Sequence, residues 1–203
     1  MDNKTYPRLI IKMHRGYVVF SMIIISFLQY LIVELMTTID TDIFYENILK
    51  QLPERLQMLI SDSFITRLSV EGAVAFGFNH PLVLTLLFLL AISLPARHIA
   101  GDIENGTMEM LLSHPVKRHH LLTSLWATGS LLLLVIICAG GIGSTIALAK
   151  AGQLTGAIML KMLQIEINLW LLAMVVLSLA MLILNSSTSL SLRLNGLMCV
   201  KMA

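Results

Sequence analysis

Four stretches of this chain are so apolar and so long that they constrain everything else: Tyr17–Leu35, Ala73–Ala96, Leu121–Ala149 and Ile165–Leu184. A helix needs about 20 mainly apolar residues to cross the hydrocarbon core of a bilayer, and each stretch reaches about that length. Lipid offers no partner to a bare peptide group, so each stretch is expected to be a helix rather than an open strand. The composition agrees, with 57% hydrophobic and 13% charged residues and a mean hydropathy of +0.83. A water-soluble domain of this length is excluded on those grounds. The fold class is therefore all-α and membrane-integral, as one transmembrane domain over residues 1–184. The second stretch carries His80, Pro81 and Pro95, and each proline removes a backbone donor and predicts a kink or break. The first stretch is too long for a signal-peptide core and no small-residue cleavage site follows it, so it is expected to remain in place.

Lys and Arg set the direction. Lys4, Arg8, Lys12, Arg15, Arg97, Lys117, Arg118, Arg193 and Lys201 fall on one side of the four stretches, while Lys50, Arg55, Arg67, Lys150 and Lys161 fall on the other. The basic excess marks the cytoplasmic side. Both termini and the Arg97–His120 loop are thus predicted to be cytoplasmic, with Met36–Gly72 external. Residues 6–16 form a basic amphipathic approach to the first stretch, suited to anionic lipid. In the external segment, Leu52, Leu56, Leu59 and Ile60 make one apolar stripe and predict an amphipathic helix at the outer surface. Residues 185–203 are too short and polar to span, and are predicted to be a cytoplasmic, poorly ordered tail. Glu34 and Glu166 fall near the outer ends of their stretches, where a carboxylate can reach water.

The most polar segment between two apolar stretches runs from Ile99 to Arg118. Ile103, Met108, Leu111 and Leu112 lie near helical spacing, with Asp102, Glu104 and Glu109 available to the opposite side. A short amphipathic helix is predicted there. Ser113-His114-Pro115 then reads as the start of the next helix, because serine accepts an orphan amide bond and proline is tolerated in a first turn.

The wording Gly101-Asp102-x-Glu104-x-Gly106-Thr107-x-Glu109-x-Leu111-Leu112-Ser113-x-Pro115-Val116-x-Arg118 resembles the cytoplasmic signature of type 2 ABC transporter permease subunits. Asp102 stands where Glu is usual and Lys117 where Ser is usual. Leu52-Pro53-Glu54 followed by Glu71-Gly72, shortly before the second stretch, is similar to the same family. The resemblance implies a permease subunit in the cell membrane that moves a substrate with ATP hydrolysed by a separate cytoplasmic ATPase subunit. It implies a second permease chain, identical or different, as a further partner. Gly101, Asp102, Glu104, Gly106, Thr107, Glu109, Leu111, Leu112, Pro115 and Arg118 would form the segment that couples to the ATPase. Members usually carry six spans and the last two are expected to be missing here. A non-transporting assembly or scaffold subunit, or an inactive truncated relative, is therefore the alternative.

Other chemistry is not supported by the pattern. Gly101-x-x-x-x-Gly106-Thr107 has the glycine spacing of a phosphate loop but lacks its lysine. Cys138 and Cys199 have no metal-ligand or disulfide spacing. His98, His114, His119 and His120 share a predicted side, with no His-Glu-x-x-His to support a metal. No nucleophilic triad, cofactor motif or nucleic-acid patch is present in the pattern, so the chain is expected not to be an enzyme. Cys138-Ala139-Gly140-Gly141-Ile142-Gly143-Ser144 reads as a helix-packing surface, with a hinge as the sharper alternative. In intact cells, an impermeant thiol reagent should label a cysteine placed at position 57 and spare one at position 105. The reverse pattern would invert the topology.

Overall fold

The structure, a computed structural model, describes residues 5–38, 70–101 and 118–201. Every described element is helical, and no strand occurs among the described residues. Helix α1 is Thr5–Thr38, α2 is Val70–Phe78, and α3 is Pro81–Pro95, which continues as a π-helical turn over Ala96–Ala100. Helix α4 is Arg118–Lys150 and α5 is Gly156–Lys201. Four segments are long and apolar enough to cross a membrane: Pro7–Thr38, Pro81–Ile99, His119–Lys150 and Gly156–Ser186. The all-α membrane fold expected from the sequence is thus observed. The amphipathic helix expected within Asp102–Leu112 and the external amphipathic segment around Leu52–Ile60 lie outside the described residues.

Two boundaries differ from the sequence expectation, and the break that Pro81 predicts is present between them. The basic approach at residues 6–16 is no separate element; it forms the first turns of α1. The second apolar stretch is broken at Asn79–His80, and the break is well satisfied. The His80 carbonyl accepts from Leu84 N–H at 3.2 Å, opening α3. His80 Nδ1 accepts the Leu82 amide at 3.3 Å, so histidine caps a helix whose first residue is proline. Finally, α5 begins at Gly156 and runs to Lys201. The tail predicted to be poorly ordered is helical in its backbone. It contains no proline and a single glycine, Gly196, so nothing in it forces the helix to stop. The early start also places Glu166 at the eleventh residue of α5, about 15 Å along the axis, rather than at the helix entrance. Glu166 is half-buried, and its carboxylate fills the space that a side chain at Gly141 would need.

The connection between α4 and α5 follows from its residues. Ala151 N–H bonds Ala147 O at 3.0 Å and Gln153 N–H bonds Leu148 O at 3.0 Å, which satisfies carbonyls at the end of α4. Gly152 sits at φ +68°, the left-handed position that ends many helices and favours glycine. Thr155 then caps α5, its hydroxyl accepting from Ile158 N–H at 3.4 Å.

Packing divides the chain into two compact units. One comprises Met1–Tyr17, Leu86–Leu134 and Trp170–Ala203; the other comprises Val18–Thr85 and Val135–Leu169. Helix α1 shows the pattern of burial best. Ile10, His14, Val18, Ser21, Ile25, Gln29 and Val33 are buried at three- and four-residue spacing, while Phe20, Ile23, Phe27, Leu31 and Leu35 are exposed. An exposed stripe of that length and apolarity belongs in lipid, not water.

Small residues in α4 serve packing in the second unit. A Cβ on Gly140 would come within 3.0 Å of Ile25 and Phe78. One on Gly143 would run into the backbone carbonyl of Ser26 in α1. The two helices therefore approach at backbone distance, as small residues permit in membranes. Gly143→Val should cost about 1–3 kcal/mol by overpacking and lower the unfolding temperature in detergent. Gly156→Ala, with open space around the new carbon, should leave that temperature nearly unchanged.

Candidate functional site

From the sequence, the coupling residues are expected between the second and third spans. The structure describes how that segment is held at its two ends. Gly101 follows the π-helical turn, and its amide bonds to Ala96 O, closing that turn. Arg118 is the first residue of α4. Asp102, Glu104, Gly106, Thr107, Glu109, Leu111, Leu112 and Pro115 lie outside the described residues.

The π-helical turn has a local cause. Pro95 has no amide hydrogen to give to the carbonyl four residues earlier, so the regular α ladder is interrupted at that point. The chain recovers with wider i→i−5 bonding over Ala96–Ala100. Such turns are rare and concentrate at functional sites. Here the turn delivers the chain directly into the Gly101–Arg118 segment. It is anchored rather than loose, since His98 is 4% exposed and Ile99 is 3% exposed.

The N-terminal end of α1 packs against this exit from α3. His14 is buried, and its ring lies 5.5 Å from the His98 ring, tilted by 47°. The His14 Nδ1–H donates to Ile10 O at 3.1 Å, which fixes the ring within its own helix. Tyr17 donates its hydroxyl to Leu86 O at 2.7 Å. The basic residues of this end, Arg8, Lys12 and Arg15, are exposed. The sequence signalled the basic face but not the His14–His98 contact, because residues 84 positions apart carry no periodicity that joins them.

At the other end of the segment, α4 is strapped to α5 within the same unit. Trp126 Nε1–H donates to Ser178 Oγ at 3.0 Å, and Trp170 Nε1–H donates to Ser130 O at 3.3 Å. Each helix thus gives one indole to the other, and Gly129 between them lets Leu177 come close. Indoles seek a partner when removed from water, and these two fix the register of the pair. Sequence reading missed both tryptophans. His119 and His120 are exposed at the start of α4, their rings 4.3 Å apart. Among the described residues, no three of His, Cys, Asp and Glu gather as metal ligands.

A family model for ABC-2 family transporter proteins matches residues 13–195. The chain belongs to the ABC-2 transporter family. The match covers the first membrane-crossing segment from residue 13, the other three whole and both anchors of the Gly101–Arg118 segment, and it extends beyond Leu184 into the last turns of α5. No curated protein and no solved structure matches the chain. Membership makes it a multi-pass membrane protein and a permease component of an ABC transporter, a system that joins a membrane part to an ATPase. The Tyr17–Leu86 bond ties this permease's α1 to the first half of α3. Tyr17→Phe should therefore cost about 1 kcal/mol of stability, read as a lower unfolding temperature in detergent, with the membrane level of the protein preserved.

Proposed function

We propose that this permease couples to a separate cytoplasmic ATPase subunit through the Gly101–Arg118 segment. The observation that supports the reading is the anchoring of that segment. It leaves α3 through a π-helical turn whose His98 and Ile99 are buried, His98 against His14 of α1, and it enters α4, which two tryptophans strap to α5. A push on a segment with firm ends is passed into the helices rather than absorbed. Closure of the ATPase would thereby bias the second and third spans toward one of two arrangements, and alternating access would follow from that shift.

On this reading Leu111 and Leu112 anchor the partner, since a few apolar side chains carry most of a docking energy. Asp102, Glu104 and Glu109 face basic groups of the ATPase and set register more than affinity. Gly106 permits a close backbone approach, and Thr107, Pro115 and Arg118 complete the segment. The permease itself hydrolyses nothing, both its termini are cytoplasmic, and it pairs with a second permease chain in the cell membrane. The α5 helix beyond Ser186 then lies on the cytoplasmic side as well.

Leu111→Asp tests the coupling. It should bury an unpaired charge in the contact at a cost of several kcal/mol. Co-purification of the ATPase should fall at least tenfold, with the permease level in the membrane unchanged. Unaltered co-purification together with unaltered permease-stimulated ATP hydrolysis would remove the segment from the coupling role. A scaffold subunit would then be the better description.

A further inference from the structure

In the second unit, α1 and α4 leave an open groove of about 460 Å³ beside their backbone contact. Its lining is mainly apolar and includes Met22, Phe27, Ile142 and Ile146, with Gly143. Tyr30 also lines it, and this residue joins the groove to a polar cluster. Lys150 Nζ donates to the Tyr30 hydroxyl at 3.3 Å and to the Glu34 carboxylate, with which it forms an ion pair.

The cluster stands where the two spans end. Lys150 is the last residue of the His119–Lys150 span, and Glu34 is one turn from the end of the Pro7–Thr38 span. The groove extends from that end toward the interior of both spans. Met22 to Tyr30 covers about 12 Å of α1 at 1.5 Å per residue. The arrangement is therefore a headgroup-level polar cluster above a trough with hydrocarbon walls, the shape of a single acyl chain under its headgroup.

The hydrogen-bond inventory narrows the headgroup. A lysine ammonium has three donors; two are used here, on Tyr30 and Glu34. The third is left for a phosphate oxygen. Tyr30 accepts from Lys150 in that contact, so its own O–H can donate to the same phosphate. The ion pair engages Glu34 Oε1, leaving Oε2 to accept from a second cation. One phosphate acceptor and one ammonium donor, side by side, complement this cluster. A purely anionic headgroup would face Glu34, and a quaternary ammonium has no N–H to give it.

We infer that the α1–α4 groove binds one phospholipid whose headgroup carries both a phosphate and a primary ammonium, the chemistry of phosphatidylethanolamine. One acyl chain lies along Met22, Phe27, Ile142 and Ile146. The phosphate meets Lys150 and Tyr30, and the ammonium meets Glu34. The site is independent of the ATPase-coupling segment.

Native mass spectrometry of the full-length permease tests this, with equimolar phosphatidylethanolamine, phosphatidylcholine and phosphatidylglycerol of the same acyl chains. One phosphatidylethanolamine per chain should survive an activation that strips the other two lipids. Lys150→Gln and Tyr30→Phe should each lower that adduct about tenfold or more, as loss of a hydrogen bond to a charged group predicts. Ile146→Trp, which fills the trough, should lower it further. Tyr30→Phe retains the Lys150–Glu34 pair, so it reports on binding even if Lys150→Gln impairs folding. Equal retention of the three lipids, or a phosphatidylethanolamine adduct indifferent to Tyr30→Phe and Ile146→Trp, would mean only annular lipid and would overturn the site.

Discussion

A peptide group without a hydrogen-bond partner costs several kcal/mol in hydrocarbon, and the rest of the structure depends on that penalty. It makes every described membrane segment a helix. It also dictates how the chain treats its two interruptions. At Pro81 the lost ladder is replaced by a histidine that caps the new helix with both its carbonyl and its ring. At Pro95 the ladder widens into a π-helical turn instead of opening. Several threonine hydroxyls inside the spans obey the same constraint. Thr85, Thr123, Thr128 and Thr145 each return a bond to the carbonyl four residues earlier.

Helix association then uses what lipid leaves available. Burial of apolar surface is no gain when lipid tails are equally apolar, so close contact and a few polar bonds carry the association. Gly143 lets α4 reach the backbone of α1. Gln29 sends its amide across to Val74 O at 3.2 Å, and Lys161 pairs with Glu71 at 2.6 Å. In the other unit, the reciprocal tryptophans and the Tyr17–Leu86 bond do the same work. Within that unit, the His14–His98 contact lies at the first end of the Gly101–Arg118 segment and the two tryptophan bonds lie beyond its second. On the proposed reading, they give the segment firm ends.

Much of this was legible in the sequence because hydrocarbon imposes a one-dimensional rule. Length and apolarity reveal a span without any knowledge of its neighbours, and the prolines announced the interruptions at Asn79–His80 and after Pro95. The family signature from Gly101 to Arg118 was legible as wording and is matched by family membership. Helix ends were less legible. The start of α5 at Gly156 and its continuation past Leu184 depend on a threonine cap and on the absence of a helix breaker, neither of which hydropathy registers. Pairings between distant positions were invisible. His14 with His98, Trp126 with Ser178 and Glu166 against Gly141 each require the helices to be placed side by side, and a single sequence holds no term for that.

The central claim is that the segment between α3 and α4 meets the ATPase. Photo-crosslinking in native membranes tests it most directly, with a benzophenone amino acid at position 112 and, as the control, at position 57. The account predicts a crosslinked band at position 112 that contains an ATP-binding subunit and weakens when the ATPase is depleted, with no such band from position 57. A clean absence at 112, with the ATPase captured instead from another part of the chain, would contradict it.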